Sequence, residues 1–197
     1  MNHIPLPRKF YKRDTVDVAR DLLGKLLVRK IDSAMLAGKI VETEAYRAHD
    51  DPASHAFRGK TERNGVMFGE PGHAYVYFTY GNHFCLNVTA RNHLPAGAVL
   101  IRAVEPIAGV ESMLKNRQVS ENTNIASGPG KLTKAMHITK EQNGKDLCSY
   151  GELYLANHDS IGYKIEISSR IGIVRATDKL WRFFIEGNPH VSRKTAR

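Results

Sequence analysis

Apolar and polar positions change period several times along these 197 residues. Between 14 and 24 they recur at helical spacing. Val16, Ala19, Leu22 and Leu23 share a stripe, Asp14 stands at the N-cap and Gly24 at the stop. Residues 25–31 and 35–45 then read as two strands joined by a short turn. The stretch 47–72 is polar and dotted with Gly and Pro. A loop of that length in a compact domain is usually functional. A short helix is expected near Thr61, with Thr61 or Asn64 as its cap. Residues 74–80 alternate again, with Tyr75, Tyr77 and Thr79 on one side and Val76, Phe78 and Tyr80 on the other. Gly81-Asn82 supplies a turn, and 84–89 return as the second arm of a hairpin. Residues 98–104 form a strand, and Glu105-Pro106 leads into a helix around 109–116. A polar loop follows over 118–126. Pro129 suits the first turn of a helix carrying Leu132, Ala135 and Met136. Strands are expected again at 153–155, 163–167, 171–174 and 180–185. Consecutive strands linked by short turns imply a largely antiparallel sheet with a few helices, an α+β class. No shift in composition marks a boundary, so 1–197 is expected to form one mixed domain.

The segment Ile40-Val41-Glu42-Thr43-Glu44-Ala45-Tyr46 carries the first candidate chemistry. Alternation sends Ile40, Glu42, Glu44 and Tyr46 to one face. A carboxylate beside an aromatic at a strand end can act as a general base next to a flat ligand. The plainer alternative is two solvated glutamates on the polar side of a half-buried strand. Arg102 sits inside the apolar run 98–104 and needs a carboxylate partner there, for which Glu42 or Glu44 would serve. Such a pair is either structural or holds a water or an anion. Tyr80 beside the Gly81-Asn82 turn cannot easily be covered by its own hairpin. It is either a wedge between stacked bases or a residue covered by the sheet or a loop. Ser127-Gly128-Pro129-Gly130-Lys131 is a Gly-rich helix entry that favours an anion or is an ordinary cap. It lacks the spacing of a P-loop.

Charge narrows the partners. There are 29 Lys plus Arg against 20 Asp plus Glu, a net +9, which suggests a polyanion. Basic residues gather at Arg8-Lys9, Lys12-Arg13, 58–63 and 193–197. The two cysteines, Cys85 and Cys148, are expected as free thiols in a reducing compartment. The N-terminus lacks an apolar core of signal-peptide length, and no run approaches the ~20 apolar residues of a membrane span. A cytoplasmic, non-secreted protein is expected, or a nuclear one if the source has a nucleus. Nine histidines show no metal-site spacing, and no GxSxG elbow occurs. Neither a metal nor another cofactor is expected.

Several blocks then combine in one order along nearly the whole chain. They are Val41-Glu42-Thr43-Glu44-Ala45-Tyr46, Ser54-His55-Ala56, Thr61-Glu62-Arg63-Asn64, Tyr75-Val76-Tyr77 to Tyr80-Gly81, and Phe84-Cys85-Leu86-Asn87-Val88. Leu100 to Pro106, Ser127 to Leu132 and Arg170-Ile171-Gly172-Ile173 complete them. The chain resembles the alkyladenine (3-methyladenine) DNA glycosylases of the mammalian enzyme's fold, in their compact bacterial form. The resemblance implies a curved antiparallel sheet with flanking helices and a protruding hairpin. It implies an enzyme of base excision repair that flips alkylated or deaminated purines out of duplex DNA and hydrolyses the N-glycosidic bond. The expected class is 3-methyladenine, 7-methylguanine, hypoxanthine and ethenoadenine. By this resemblance Glu44 is the general base, Arg102 helps hold the attacking water, and the backbone near Ile173 contacts it. Tyr46, His55 and Tyr77 form the stacking pocket, and Asn87 is the wall that disfavours the amine of normal guanine. Tyr80 fills the gap in the duplex, and Arg63 and Lys131 touch the DNA backbone. Glu42 is left as structural. No lysine falls at a motif position for Schiff-base chemistry, so no lyase activity is implied. Double-stranded DNA with damaged purines is the implied partner, a monomer the implied state, and association with the nucleoid follows from the function. The Ala56-to-Lys60 loop and Val174, where the mammalian enzyme has glycine, depart from the mammalian sequence. A non-catalytic binder of damaged or distorted DNA, and an enzyme acting on free nucleosides or RNA, are the alternatives.

Overall fold

The structure is a computed structural model, and it describes residues 3–120, 124–158 and 162–192. The basic cluster at 193–197 and part of the loop at 118–126 lie outside the described residues. Helix α1 (Thr15–Asp21) starts where expected, because the Asp14 carboxylate accepts from the Val16 amide at 2.8 Å, satisfying one of the free amides of the first turn. Strands β1 (Leu26–Ile31) and β2 (Ala34–Arg47) pair antiparallel. A hairpin of β3 (Ala74–Thr79) and β4 (His83–Thr89) follows, then β5 (Gly97–Ala108). Helices α2 (Val110–Arg117) and α3 (Pro129–Ala135) lead to the short strands β6 (Leu153–Ala156), β7 (Ile165–Ser168) and β8 (Arg182–Ile185). The eight strands form one antiparallel sheet in the order β3-β4-β5-β2-β1-β6, with β8 joining β2 and β7 joining β8. The α+β class read from the sequence is the observed one.

Strand β2 is the spine. It pairs with β5 along one edge, and with β1 and then β8 along the other. One face of the sheet packs on the helices. Val99, Ile101 and Ala45 meet Val18 and Ala19 of α1, Met113 of α2 and Leu132 of α3 in one buried cluster, and Thr43 donates to the Ala19 carbonyl at 2.7 Å. The other face carries the polar residues of β2.

Two bulges separate these faces. Ile40 pairs with Val104, Glu42 with Ala103 and Thr43 with Ile101, so Val41 on β2 and Arg102 on β5 are each extra residues. A bulge resets the alternation of the strand that carries it. Ile40 and Val41 therefore both enter the helix-side core, whereas simple alternation had placed Ile40 beside Glu42 and Glu44.

Other expectations shift by geometry. Residues 171–174 are not a strand, since Gly172 has φ +78° and the Ile171 amide is taken by a side chain. Strand β5 runs on through Pro106 to Ala108 before the helix begins. The helix expected near Thr61 is a 3-10 turn over Gly65–Phe68. Among the described residues no helix is long and apolar enough to cross a membrane.

Gly38 lies beside another shift of register, opposite Pro106. A Cβ there would meet Val104 Cγ2 at 2.6 Å and Cβ at 2.8 Å. Gly38→Ala is therefore expected to destabilise the fold by about 1–3 kcal/mol, as overpacking does. Urea unfolding checks it, and an unchanged midpoint would show that β2 and β5 separate freely at this point.

Candidate active site

Both glutamates are fully buried, so the solvated-face alternative is excluded. Their surroundings differ. Glu42 Oε1 accepts from Arg102 Nε at 2.9 Å, Arg182 Nε at 2.7 Å and Ser192 Oγ at 2.8 Å, and Oε2 accepts from the Ser192 amide at 2.7 Å. Three of these four donors converge on Oε1 and one meets Oε2. Burial alone would raise the Glu42 carboxyl, but the flanking guanidiniums and the bonds from Arg182 and Ser192 hold it below the ordinary carboxylate range.

Glu44 has three donors among the described residues. The Ile171 amide reaches Oε1 at 2.7 Å, while the Tyr46 hydroxyl and Arg102 Nη1 reach Oε2 at 2.7 and 3.3 Å. All three of these donors belong to residues of one cavity wall. Arg102 thus bridges the two carboxylates. The bulge at Arg102 lets β5 offer this side chain to both. The guanidinium is pushed further up by Glu44 and Glu42, against the effect of its burial.

Beside Glu44 opens a cavity of about 230 Å³. Tyr46, His55, Tyr77, Asn87, Arg102 and Ile173 line it, and so does Tyr80 at its edge. Glu44 itself lies just behind this wall, held by three residues that do line it: Tyr46, Arg102 and Ile171. Tyr77 and His55 meet edge-on, with ring centroids 4.6 Å apart, and His55 Nδ1 lies 2.9 Å from the Tyr75 hydroxyl. Burial, with Arg63 nearby, lowers the His55 pKa and favours a neutral ring. Burial raises Tyr46 and Tyr77 well above the usual phenol value and Tyr75 to about 12. Asn87 Nδ2 donates to the Tyr75 carbonyl at 3.0 Å, which fixes its amide.

Tyr80 is 80% exposed at the tip of the β3–β4 hairpin, so neither sheet nor loop covers it. Its φ of +51° is a conformation that bulky residues avoid. Its ring lies 5.8 Å from that of His83.

The two weaker candidates stay outside the cavity lining. Arg63 is exposed, donates to the Phe78 carbonyl at 3.1 Å and stands 5.4 Å over the Tyr77 ring. Lys131 bonds the Asn124 side chain, and burial with nearby Arg117 lowers its pKa. Cys85, expected as a buried free thiol, is one, and it lines the cavity. Burial raises its pKa to about 11.

Sequence reasoning did not assign roles to Arg182, Ser192, Asp51 or Arg170. Arg182 carries the same signal as Arg102, a charge set in an apolar strand. Arg170 opens the matched block Arg170-Ile171-Gly172-Ile173. Ser192 has no local signal, because it meets Glu42 across 150 positions of sequence.

Known proteins share this chain over nearly its full length. Residues 9–189 match the model of the methylpurine-DNA glycosylase family. A protein of Koribacter versatilis named "Putative 3-methyladenine DNA glycosylase" is 50% identical over 96% of this chain and 94% of its own length. Proteins of the same name from Carboxydothermus hydrogenoformans, at 48%, and Methanocella arvoryzae, at 51%, each cover 96% of this chain, and 99% and 96% of themselves. Agreement of that depth and coverage sets aside the non-catalytic alternative. The chain belongs to the methylpurine-DNA glycosylase family, and it is a DNA glycosylase.

Proposed function

We propose that this glycosylase flips alkylated or deaminated purines, of the 3-methyladenine, 7-methylguanine, hypoxanthine and ethenoadenine class, out of duplex DNA, and hydrolyses the bond between base and sugar with Glu44 as general base. The observation that carries this reading is the inequality of the two carboxylates. Glu42 is tied to Arg182 and Ser192, which do not line the cavity, as well as to Arg102. The described donors to Glu44 are all residues of the cavity wall, Tyr46, Arg102 and Ile171.

The chemistry follows from that position. A flipped base stacks on Tyr46, Tyr77 and His55, whose flat faces accept any purine. The Glu44 carboxylate takes a proton from water as the water oxygen bonds to C1′. Its negative charge stabilises the oxocarbenium-like sugar. The electrons of the C1′–N bond leave with the purine. A purine alkylated at N3 or N7 is cationic before cleavage and neutral after it, so it departs without needing a proton, whereas neutral hypoxanthine or ethenoadenine departs as an anion and takes up the proton released from the water. Arg102 and the backbone at Ile173 help hold the water. Asn87 has its amide nitrogen committed to Tyr75, and a guanine 2-amino group would bring a further donor against it. Tyr80 occupies the space that the base vacates, and Arg63 and Lys131 hold the DNA backbone. Among the described residues no lysine lines the cavity, which supports hydrolysis without lyase chemistry. The protein works as a monomer and as one domain.

Duplex oligonucleotides carrying hypoxanthine, ethenoadenine or a methylated purine test this reading. Wild-type protein is expected to leave abasic sites. Tight lesion binding with release of none of the bases would overturn it. Glu44→Gln is expected to slow release by roughly 10²–10⁴-fold, the usual contribution of a general base, with lesion binding kept within a few-fold. A variant that retains most of its rate would remove Glu44 from the role. Tyr80→Ala is expected to weaken lesion binding by about 1–3 kcal/mol, the scale of one lost stacking contact. Binding and rate both equal to wild type would show that Tyr80 is not the wedge.

A further inference from the structure

Arg170 lies outside the cavity, pressed against its wall. Its side chain is fully buried. It donates to both oxygens of Asp51, at 2.6 and 2.7 Å, and to the Ala45 carbonyl at 2.9 Å. Its guanidinium carbon stands 4.6 Å from the centre of the Tyr46 ring and 5.2 Å from that of Trp181. Tyr46 lines the cavity and Arg170 does not. The guanidinium therefore stands against the Tyr46 ring from outside the cavity.

A cation is drawn to an aromatic face by the ring's quadrupole. A cation already seated on one face opposes a second on the other. The surrounding charges point the same way. At this site the buried carboxylates Glu42, Glu44 and Asp51 face the buried guanidiniums Arg102, Arg170 and Arg182, three against three, while the buried Arg29 pairs elsewhere with Glu152. Without Arg170 the set would be net negative directly behind Tyr46, and would select positively charged ligands.

We propose that Arg170 is a specificity-determining residue: from behind Tyr46 it restrains the pocket's preference for cationic N-alkylpurines and so keeps neutral purines acceptable. The assignment rests on Tyr46 being the stacking wall of the proposed function. It acts through Tyr46 and does not require Arg170 to touch the base.

Single-turnover release of 7-methylguanine, which is cationic in DNA, and of neutral hypoxanthine tests this in wild type, Arg170→Lys and Arg170→Gln. The ratio of the two rates is the readout. In Arg170→Gln the ratio is expected to move three- to tenfold toward 7-methylguanine. In Arg170→Lys, which keeps a cation, it is expected to stay within twofold of wild type. A brace with no electrostatic role would slow both bases together and leave the ratio unchanged, which would overturn the proposal, as would a shift toward hypoxanthine. The only tryptophan, Trp181, packs on this guanidinium, so its emission reports whether each variant is folded. If Arg170→Gln alone does not fold, the pair Arg170→Gln with Asp51→Asn leaves the buried charges balanced and removes only the cation on the Tyr46 ring; the ratio is then expected to move toward 7-methylguanine by less than in the single variant, and an unchanged ratio would overturn the proposal. Wild-type protein that releases neither base would fail the proposed function and not the ratio criterion.

Discussion

Glu42, Glu44, Arg102 and Arg182 are buried together where β2, β5 and β8 meet, and the sheet can close only if they neutralise one another. An isolated buried charge costs several kcal/mol even after relaxation. Here each guanidinium finds the same carboxylate, and the Ser192 amide and hydroxyl complete its shell. The two bulges are the backbone's share of this arrangement. They let β2 and β5 turn these charges to one face while Ile40, Val41 and Ile101 stay in the apolar cluster on the other.

From that anchor the site takes its asymmetry. Arg102 is held through Nε by Glu42, which leaves Nη1 to reach Glu44. Tyr46, two residues on, donates to the same oxygen, and the Ile171 amide takes the other. One face of a single strand thus presents a carboxylate tied to Arg182 and Ser192, a carboxylate tied to the cavity wall and an aromatic wall, in that order. The hairpin adds Tyr77 and Asn87 from its two arms and lifts Tyr80 away from the sheet. Their partners, not exposure, distinguish the two glutamates, because both are inaccessible to solvent.

Much of this was legible in the sequence. Strand alternation placed Glu42, Glu44 and Tyr46 on one face, the apolar setting of Arg102 demanded a carboxylate, and the turn at Gly81-Asn82 exposed Tyr80. Asp14 marks the start of α1, which ends at Asp21, before Leu22, Leu23 and Gly24. What could not be read depends on pairing between distant strands. Nothing local marks Val41 as a bulge, so Ile40 was placed on the wrong face. Residues 171–174 have strand composition, but the bond from the Ile171 amide to Glu44 and the left-handed Gly172 make them a loop. Ser192 is ordinary in sequence and matters only because the fold brings it to Glu42. Physical reasoning on the strand alone could not choose between the glutamates, since the choice rests on donors contributed from positions 102, 171, 182 and 192.

Glu42→Gln, examined for both stability and rate, puts the most direct strain on this account. The substitution keeps the shape and removes the charge that two buried guanidiniums share. Loss of a buried ionic partner costs about 3–5 kcal/mol, and Arg102 would no longer be fixed for Glu44. The account predicts a fall in unfolding free energy of that order, together with slower base release from a lesion duplex by the protein that remains folded. A variant that unfolds like wild type and releases bases at the wild-type rate would contradict it.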